Sequence, residues 1–421
     1  MATSPPPERE PRKNVTPPPS GRSFDVIVIG GGTIGLSAAY YASARGLKTL
    51  LLEQFELGNP WASSGGASRM FRIMYAPAYM AQLAEVSLAM WKEIEVASGN
   101  EILSTQPLIF YGVSENVLEG NIEEMKKVLT NLGVPYTWYP NPSGLLQDYP
   151  AFQKQNMPPK YIGLVQANSA VIWAQQSIIT FDQLARKAGR ILLTNQPAKI
   201  TGLPAGGPYQ VTCPAGTYSA AHLILCPGAW TNSLLAPFNL QLNLTIWQMT
   251  VAYFQADTAN YEYPLWYEFG ETAETQFYGF PPGEIPGFIK VSTEFTNNKY
   301  TDPRQCTYKP DPQILASLGS FVQQRFNGVQ PPATYPSTCL YTMSADGEMI
   351  LDNLPNYPNV AIFTTASGRG FKFTPLCGRI LVDLATTGKT YYDITPFSIT
   401  RKGIITGTKV DPSRRARPGL V

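Results

Sequence analysis

The chain has 421 residues, 44% of them hydrophobic, which calls for two or three globular domains with interior enough to bury a cofactor. Its net charge of +2, without any long basic cluster, gives nucleic-acid binding no footing. A single histidine, His222, excludes a multi-histidine metal site, and the five cysteines show neither Cys-x-x-Cys spacing nor a disulfide framework.

Residues Met1 to Ser23 are rich in proline and charge, lack periodicity and are expected to be disordered. Phe24 to Ile29 is a continuous apolar, β-branched run, the pattern of a strand covered on both faces. Gly30, Gly32 and Gly35 then match G-x-G-x-x-G at a strand-to-helix turn. In that motif one glycine permits the turn, one lets backbone approach a pyrophosphate and one lets helix and strand pack closely. Gly46 stops the helix, Lys48 to Leu52 makes the next strand, and Glu53 stands at its end, about 20 residues on, where an acid bonds a ribose hydroxyl. Strand, turn, helix, strand and terminal acid together predict a bound adenine dinucleotide, without separating NAD from FAD.

Further along, Trp61 to Arg72 (WASSGGASRMFR) is a Gly/Ser loop ending in two arginines. Helical spacing covers Ala78 to Glu95, Leu108 to Val113 reads as a strand, and Val117 to Leu132 as an amphipathic helix. A helix near Gln176 to Ala188 leads through short strands to Leu223–Cys226 and the turn Pro227-Gly228-Ala229-Trp230. Residues 240 to 300 are aromatic-rich, strand-like and interrupted by Pro and Gly, which predicts an antiparallel sheet and a substrate wall. In the last third, Val360 to Thr365 is an apolar strand, Ser367 to Lys372 a glycine turn and Pro375 to Thr386 a helix, a second place where N–H groups can face an electron-rich group. TGKT at Thr387 to Thr390 is no P-loop, because Asp383 stands where the loop needs glycine.

No apolar stretch reaches the roughly 18 residues that span a bilayer, and the chain start has no signal-peptide core. A cytoplasmic protein that meets no membrane is expected. His222 reads as a structural strand-edge residue, which leaves acid, base and carboxylate-binding work to Lys, Arg, Tyr, Asp or Glu.

With VIVIGGGTIGLSAA, GASRMFR, CPGAWTNSLL, FYGFP, STCLYT, SGRGFKF and TGKTYYDITPFSITR in this order, the chain resembles the monomeric sarcosine oxidase family of FAD-dependent amine oxidases, within the D-amino acid oxidase-like superfamily. The likeness runs from Phe24 to about Arg401, and several motifs are most similar to a branch that oxidises a cyclic imino acid. The resemblance implies FAD as cofactor, with Gly30, Gly32, Gly35, Glu53, Ser68, Gly368 and Gly370 in its cradle and a thioether from Cys339 to the flavin. It implies that Arg72 and Lys372 hold the substrate carboxylate, that Arg69 lies near the flavin ring, that Lys290 activates oxygen and that Tyr278 contacts the amine or packs. Glu294 and Arg369 depart from the family, whose sarcosine oxidases carry histidines there, so sarcosine itself is not the expected substrate.

The expected fold is α/β plus α+β: a Rossmann-type FAD-binding domain (24–106, 165–238 and 346–421) with a second, antiparallel-sheet substrate domain (107–164 and 239–345). The expected reaction is oxidation of a secondary or cyclic amino or imino acid by hydride transfer to flavin N5, followed by reoxidation by molecular oxygen, in a monomer. Demethylation of an N-methyl amino acid, electron delivery to another protein, and a non-catalytic flavin-binding role stay open beside it.

Overall fold

The computed structural model describes residues 21–114, 120–153, 156–204 and 206–406. The proline-rich stretch 1–20 lies outside them, but Ser23, expected in the tail, already begins the first strand. Among the described residues, the strands gather into an eight-stranded and a nine-stranded sheet with two small ones beside them.

The eight-stranded sheet grows from the opening unit. Strand β1 (Ser23–Ile29), helix α1 (Thr33–Ala44) and strand β2 (Thr49–Leu52) form its core because most residues in them are apolar and buried. Helix α1 is apolar on all sides, as a helix enclosed by neighbours must be. One neighbour is the helix Thr374–Thr387, whose Gly378 sits so close that a Cβ there would lie 2.2 Å from Ser37 Oγ. β1 pairs in parallel with β2 and with Gly216–Leu225, which in turn pairs in parallel with Tyr357–Thr364. Segments far apart in sequence therefore converge on one sheet. His222 stands opposite Val26 within that pairing, half-buried.

The nine-stranded sheet is dominated by Leu244–Ala256 and Val329–Ser344, long strands paired antiparallel from Leu244↔Ser344 to Ala256↔Val329. Its back is covered by Pro312–Arg325, where Phe321 stacks on Trp266 and Phe277 at centroid distances of 5.3 and 4.1 Å. The sheet is not wholly antiparallel: Leu265–Phe269 runs parallel to Leu108–Gly112. Strands drawn from distant segments can meet in either direction, and the turn chemistry between local hairpins says nothing about that pair.

Two boundaries also shift. The helix expected from Val117 begins at Ile122, where Asn121 accepts from the N–H groups of Glu123 and Glu124; residues 115–119 lie outside the described residues. The glycine turn at 367–372 tightens into a 3₁₀ turn, Gly370–Phe373, before the helix starts at Thr374.

Candidate active site

A cavity of about 790 Å³ runs between the two large sheets, from the glycine turn to the Arg72 and Lys372 side chains. At its first end the glycines are required by space. Gly30 has φ +105°, and a Cβ on it would lie 2.2 Å from the Cys226 carbonyl oxygen; one on Gly35 would lie 1.9 Å from the Gly30 carbonyl oxygen. Gly32 caps α1, and the Thr33 N–H donates to Ser64 Oγ at 3.1 Å. The first turn of α1 carries no acidic residue, so its positive end faces the cavity without a built-in counter-ion. Glu53 directly follows β2, its carboxylate held by the N–H groups of Gly31 (2.5 Å) and Phe55 (2.8 Å). Burial pushes its pKa up to about 7 against the pull of those donors. Turn, helix end and ribose-level acid fit an adenine dinucleotide.

At the other end, two buried cations approach one aromatic ring. The Arg72 guanidinium lies 4.2 Å and the Lys372 ammonium 5.7 Å from the centre of the Tyr75 ring. Arg72 Nη1 donates to the Met74 carbonyl at 2.9 Å and Lys372 Nζ to the Arg369 carbonyl at 3.1 Å. Helix Ala78–Ser98 steadies this turn, with Ser87 Oγ and Trp91 Nε1 both donating to the Lys372 carbonyl. Tyr278 and Tyr341 hydroxyls meet at 2.9 Å, and burial raises both well above the phenol range. Gly368, at φ +76°, lies against the Tyr341 ring, where a Cβ would approach to 3.0 Å, and Gly370 packs on Ala366 and Phe363. Glu294 and Arg369 both line the cavity; Arg369 Nη1 lies 3.3 Å from Glu348 Oε1.

Arg69 serves its own loop: it donates to the carbonyls of Ser63 (2.6 Å), Gly65 (2.5 Å) and Ser68 (2.7 Å) while its guanidinium lies 5.3 Å from the Phe371 ring centre. It bends the Gly/Ser loop around the cavity. Cys339 opens onto the same space from the strand Val329–Ser344; burial raises its thiol pKa, opposed by the positive charges of Arg69 and Lys290.

On the wall between these groups Lys290 Nζ donates to Glu284 Oε1 (2.8 Å), Ser68 Oγ (3.1 Å) and the Ser68 carbonyl (3.3 Å). Ser68 Oγ and the Tyr253 hydroxyl both donate to the Glu284 carboxylate. Burial pulls the lysine pKa below its ordinary value, with Glu284 opposing and Arg69 assisting. Sequence reasoning missed Glu284, Tyr253, Tyr341 and Ser64. Glu284 sits in the turn PPGEIPG, which reads as an ordinary exposed turn, although the adjacent strands FYGF and FIKV signal a hairpin that brings it over Lys290.

The family described as FAD dependent oxidoreductase matches residues 25–384. The chain belongs to that family. Peroxisomal sarcosine oxidase of Homo sapiens is 29% identical over 386 residues, covering 90% of this chain and 96% of the relative. Monomeric sarcosine oxidase of Bacillus sp. (strain NS-129) is 28% identical over 402 residues, with 90% and 97% covered. Among solved structures, the open form of NikD, an unusual amino acid oxidase essential for nikkomycin biosynthesis, superimposes with TM-score 0.81 at 26% identity, covering 90% of this chain and 98% of NikD. L-proline dehydrogenase from P. horikoshii shares the fold, with TM-score 0.73 at 15% identity and 90% and 97% covered. No helix among the described residues is long and apolar enough to cross a membrane.

Proposed function

We propose that this protein is a monomeric, cytoplasmic FAD-dependent oxidase of a secondary or cyclic amino or imino acid. The observation that carries this reading is the pair of buried cations, Arg72 and Lys372, beside one aromatic ring at the end of a cofactor-sized cavity. FAD, when bound, supplies a two-electron acceptor that takes a hydride from the carbon next to nitrogen and returns the electrons to oxygen as hydrogen peroxide.

Gly30, Gly32, Gly35 and Glu53 would hold the adenosine and pyrophosphate part of FAD, while Ser68, Gly368 and Gly370 would frame its flavin end. Cys339 would anchor the cofactor through a thioether, its thiol and a flavin methyl C–H giving up two protons and two electrons to the molecular oxygen of the reaction. Arg72 and Lys372 bind the substrate carboxylate, which fixes the neighbouring C–H toward the cofactor. Glu294 and the Tyr278–Tyr341 pair face the amine, and Arg369 narrows the pocket where sarcosine oxidases carry a histidine. Lys290 presents positive charge where oxygen is reduced. The residues fall into a cofactor domain (24–106, 165–238 and 346–421) and a substrate domain (107–164 and 239–345) with the cavity between them.

Anaerobic mixing of the purified protein with L-pipecolate, L-proline, sarcosine and N-methyl-L-tryptophan tests the reading. Rapid bleaching of the flavin band by the cyclic substrates is the expected result. Bleaching by N-methyl substrates alone transfers the assignment to demethylation, and no bleaching by any member overturns it. Yellow colour remaining with the polypeptide after acid precipitation is the expected result for the Cys339 linkage, and its release contradicts that linkage.

A further inference from the structure

Lys290 does not stand alone on the cavity wall. Three acceptors, Glu284 Oε1, Ser68 Oγ and the Ser68 carbonyl, match the three N–H donors of its ammonium. Glu284 is itself fixed from two sides, because the hydroxyls of Ser68 and Tyr253 donate to it. Both side chains of the ion pair are buried, at 10% exposure for Lys290 and 7% for Glu284. The pair forms part of the partition between two spaces. Lys290 lines the large cavity, whereas Glu284 lines a second cavity of about 630 Å³ on the far side, with Ser68 and Phe280 at the boundary.

We propose that Glu284 is a positioning residue for Lys290: its carboxylate fixes the ammonium at the cavity wall and supplies its counter-charge. The proposal rests on the oxygen-reducing role given to Lys290 above.

The groups facing Lys290 come from four directions. Glu284 approaches from the turn between the strands Phe277–Phe280 and Phe288–Thr293, and Arg69 and Ser68 from the Gly/Ser loop. Tyr253 is its cross-strand partner, and Cys339 approaches from Val329–Ser344. Burial is the largest influence and favours the neutral amine, and Arg69 adds to it; Glu284 is the main opposing influence. Without the carboxylate, the amine loses its proton at lower pH. The positive charge needed for oxygen reduction is then lost as pH rises, earlier than in the wild type.

The test uses holoenzyme reduced anaerobically by dithionite, so that no substrate is needed, then mixed with oxygenated buffer between about pH 6 and 10, a span that includes the ordinary lysine value. Lys290→Met is expected to reoxidise about a hundredfold more slowly at the acid end of that range, where the wild-type lysine is charged. Glu284→Gln is expected to approach the wild-type rate at the acid end and to fall about tenfold below it at the alkaline end, as a lysine shift of about one unit gives. Glu284→Asp, with the charge kept but withdrawn by one methylene, is expected to show a smaller displacement in the same direction. It decides the matter if the Gln variant does not retain FAD.

A wild-type pH profile in Glu284→Gln, or in Glu284→Asp where that variant decides, alongside a slow Lys290→Met overturns the Glu284 proposal alone. A wild-type rate in Lys290→Met overturns the role of Lys290 and the proposal with it. A uniform, pH-independent loss in Glu284→Gln also overturns it, because a merely structural residue gives that result.

Discussion

Two buried ion pairs occupy the nine-stranded sheet region, and they behave in opposite ways. Arg325 grips Glu268 with two nearly parallel bonds, Nε to Oε2 at 2.6 Å and Nη2 to Oε1 at 2.7 Å, and Tyr161 adds a third donor to the same carboxylate. Neither residue lines the two cavities, and aromatic rings of Tyr161 and Phe321 lie 5.8 Å from the guanidinium. Lys290 instead meets Glu284 as a point charge at the boundary of the active-site cavity. Burial acts downward on both cations, but Glu268, Tyr111 and Tyr161 outweigh it and raise Arg325, whereas Lys290 ends below its ordinary value. A planar fork in a closed aromatic setting fixes architecture; an ammonium with a lowered pKa beside a cavity can be used in chemistry.

The largest effect is expected at the architectural pair. Glu268→Ala leaves the Arg325 guanidinium buried without its carboxylate, at a cost of about 3–5 kcal/mol in stability by urea denaturation, while flavin reoxidation in the folded fraction stays unchanged. An equal loss of reoxidation rate breaks the contrast. Glu53 sharpens it by supplying a buried acid held by backbone N–H groups. Its folded pKa of about 7 lies above the unfolded value near 4.5, so the stabilisation it gives is complete below the unfolded value. It is lost as pH rises through about 7, by at most about 3 kcal/mol. Glu53→Gln is therefore expected to flatten the pH dependence of the denaturation midpoint over that interval. A smaller effect is expected at Arg72, a fork that does line the cavity. Arg72→Lys keeps the charge and loses the planar geometry, so KM for a carboxylate substrate rises about tenfold with little change in the unfolding midpoint. An unchanged KM removes Arg72 from the carboxylate site.

What could be read from the sequence follows the range of the interactions. The opening βαβ unit was legible because apolar runs, glycines and Glu53 lie within one short stretch whose parts constrain each other. Segments 367–373 and 337–342 were legible through motif resemblance, and the cavity does bring Cys339, Lys290, Arg72 and Lys372 onto one surface. Glu284 was not legible, since its meaning depends on Ser68, 216 positions away, and a Pro/Gly turn carries no signal for a buried acid. The parallel pairing of Leu265 with Leu108 was hidden for the same reason: local alternation predicts a strand and leaves its neighbour and direction open. Asn121 is a miss of another kind, because an Asn followed three residues later by Glu124 is a local start signal that outranks the helical spacing upstream of it.

The walls of the large cavity are collected from one end of the chain to the other, with Gly30 in the first strand-to-helix turn and Lys372 close to the last long helix. Synthesis proceeds from the N-terminus, so a growing chain displays its glycine fingerprint long before Gly368 and Lys372 have been added. The chamber can therefore close around its cofactor only after Lys372 has left the ribosome.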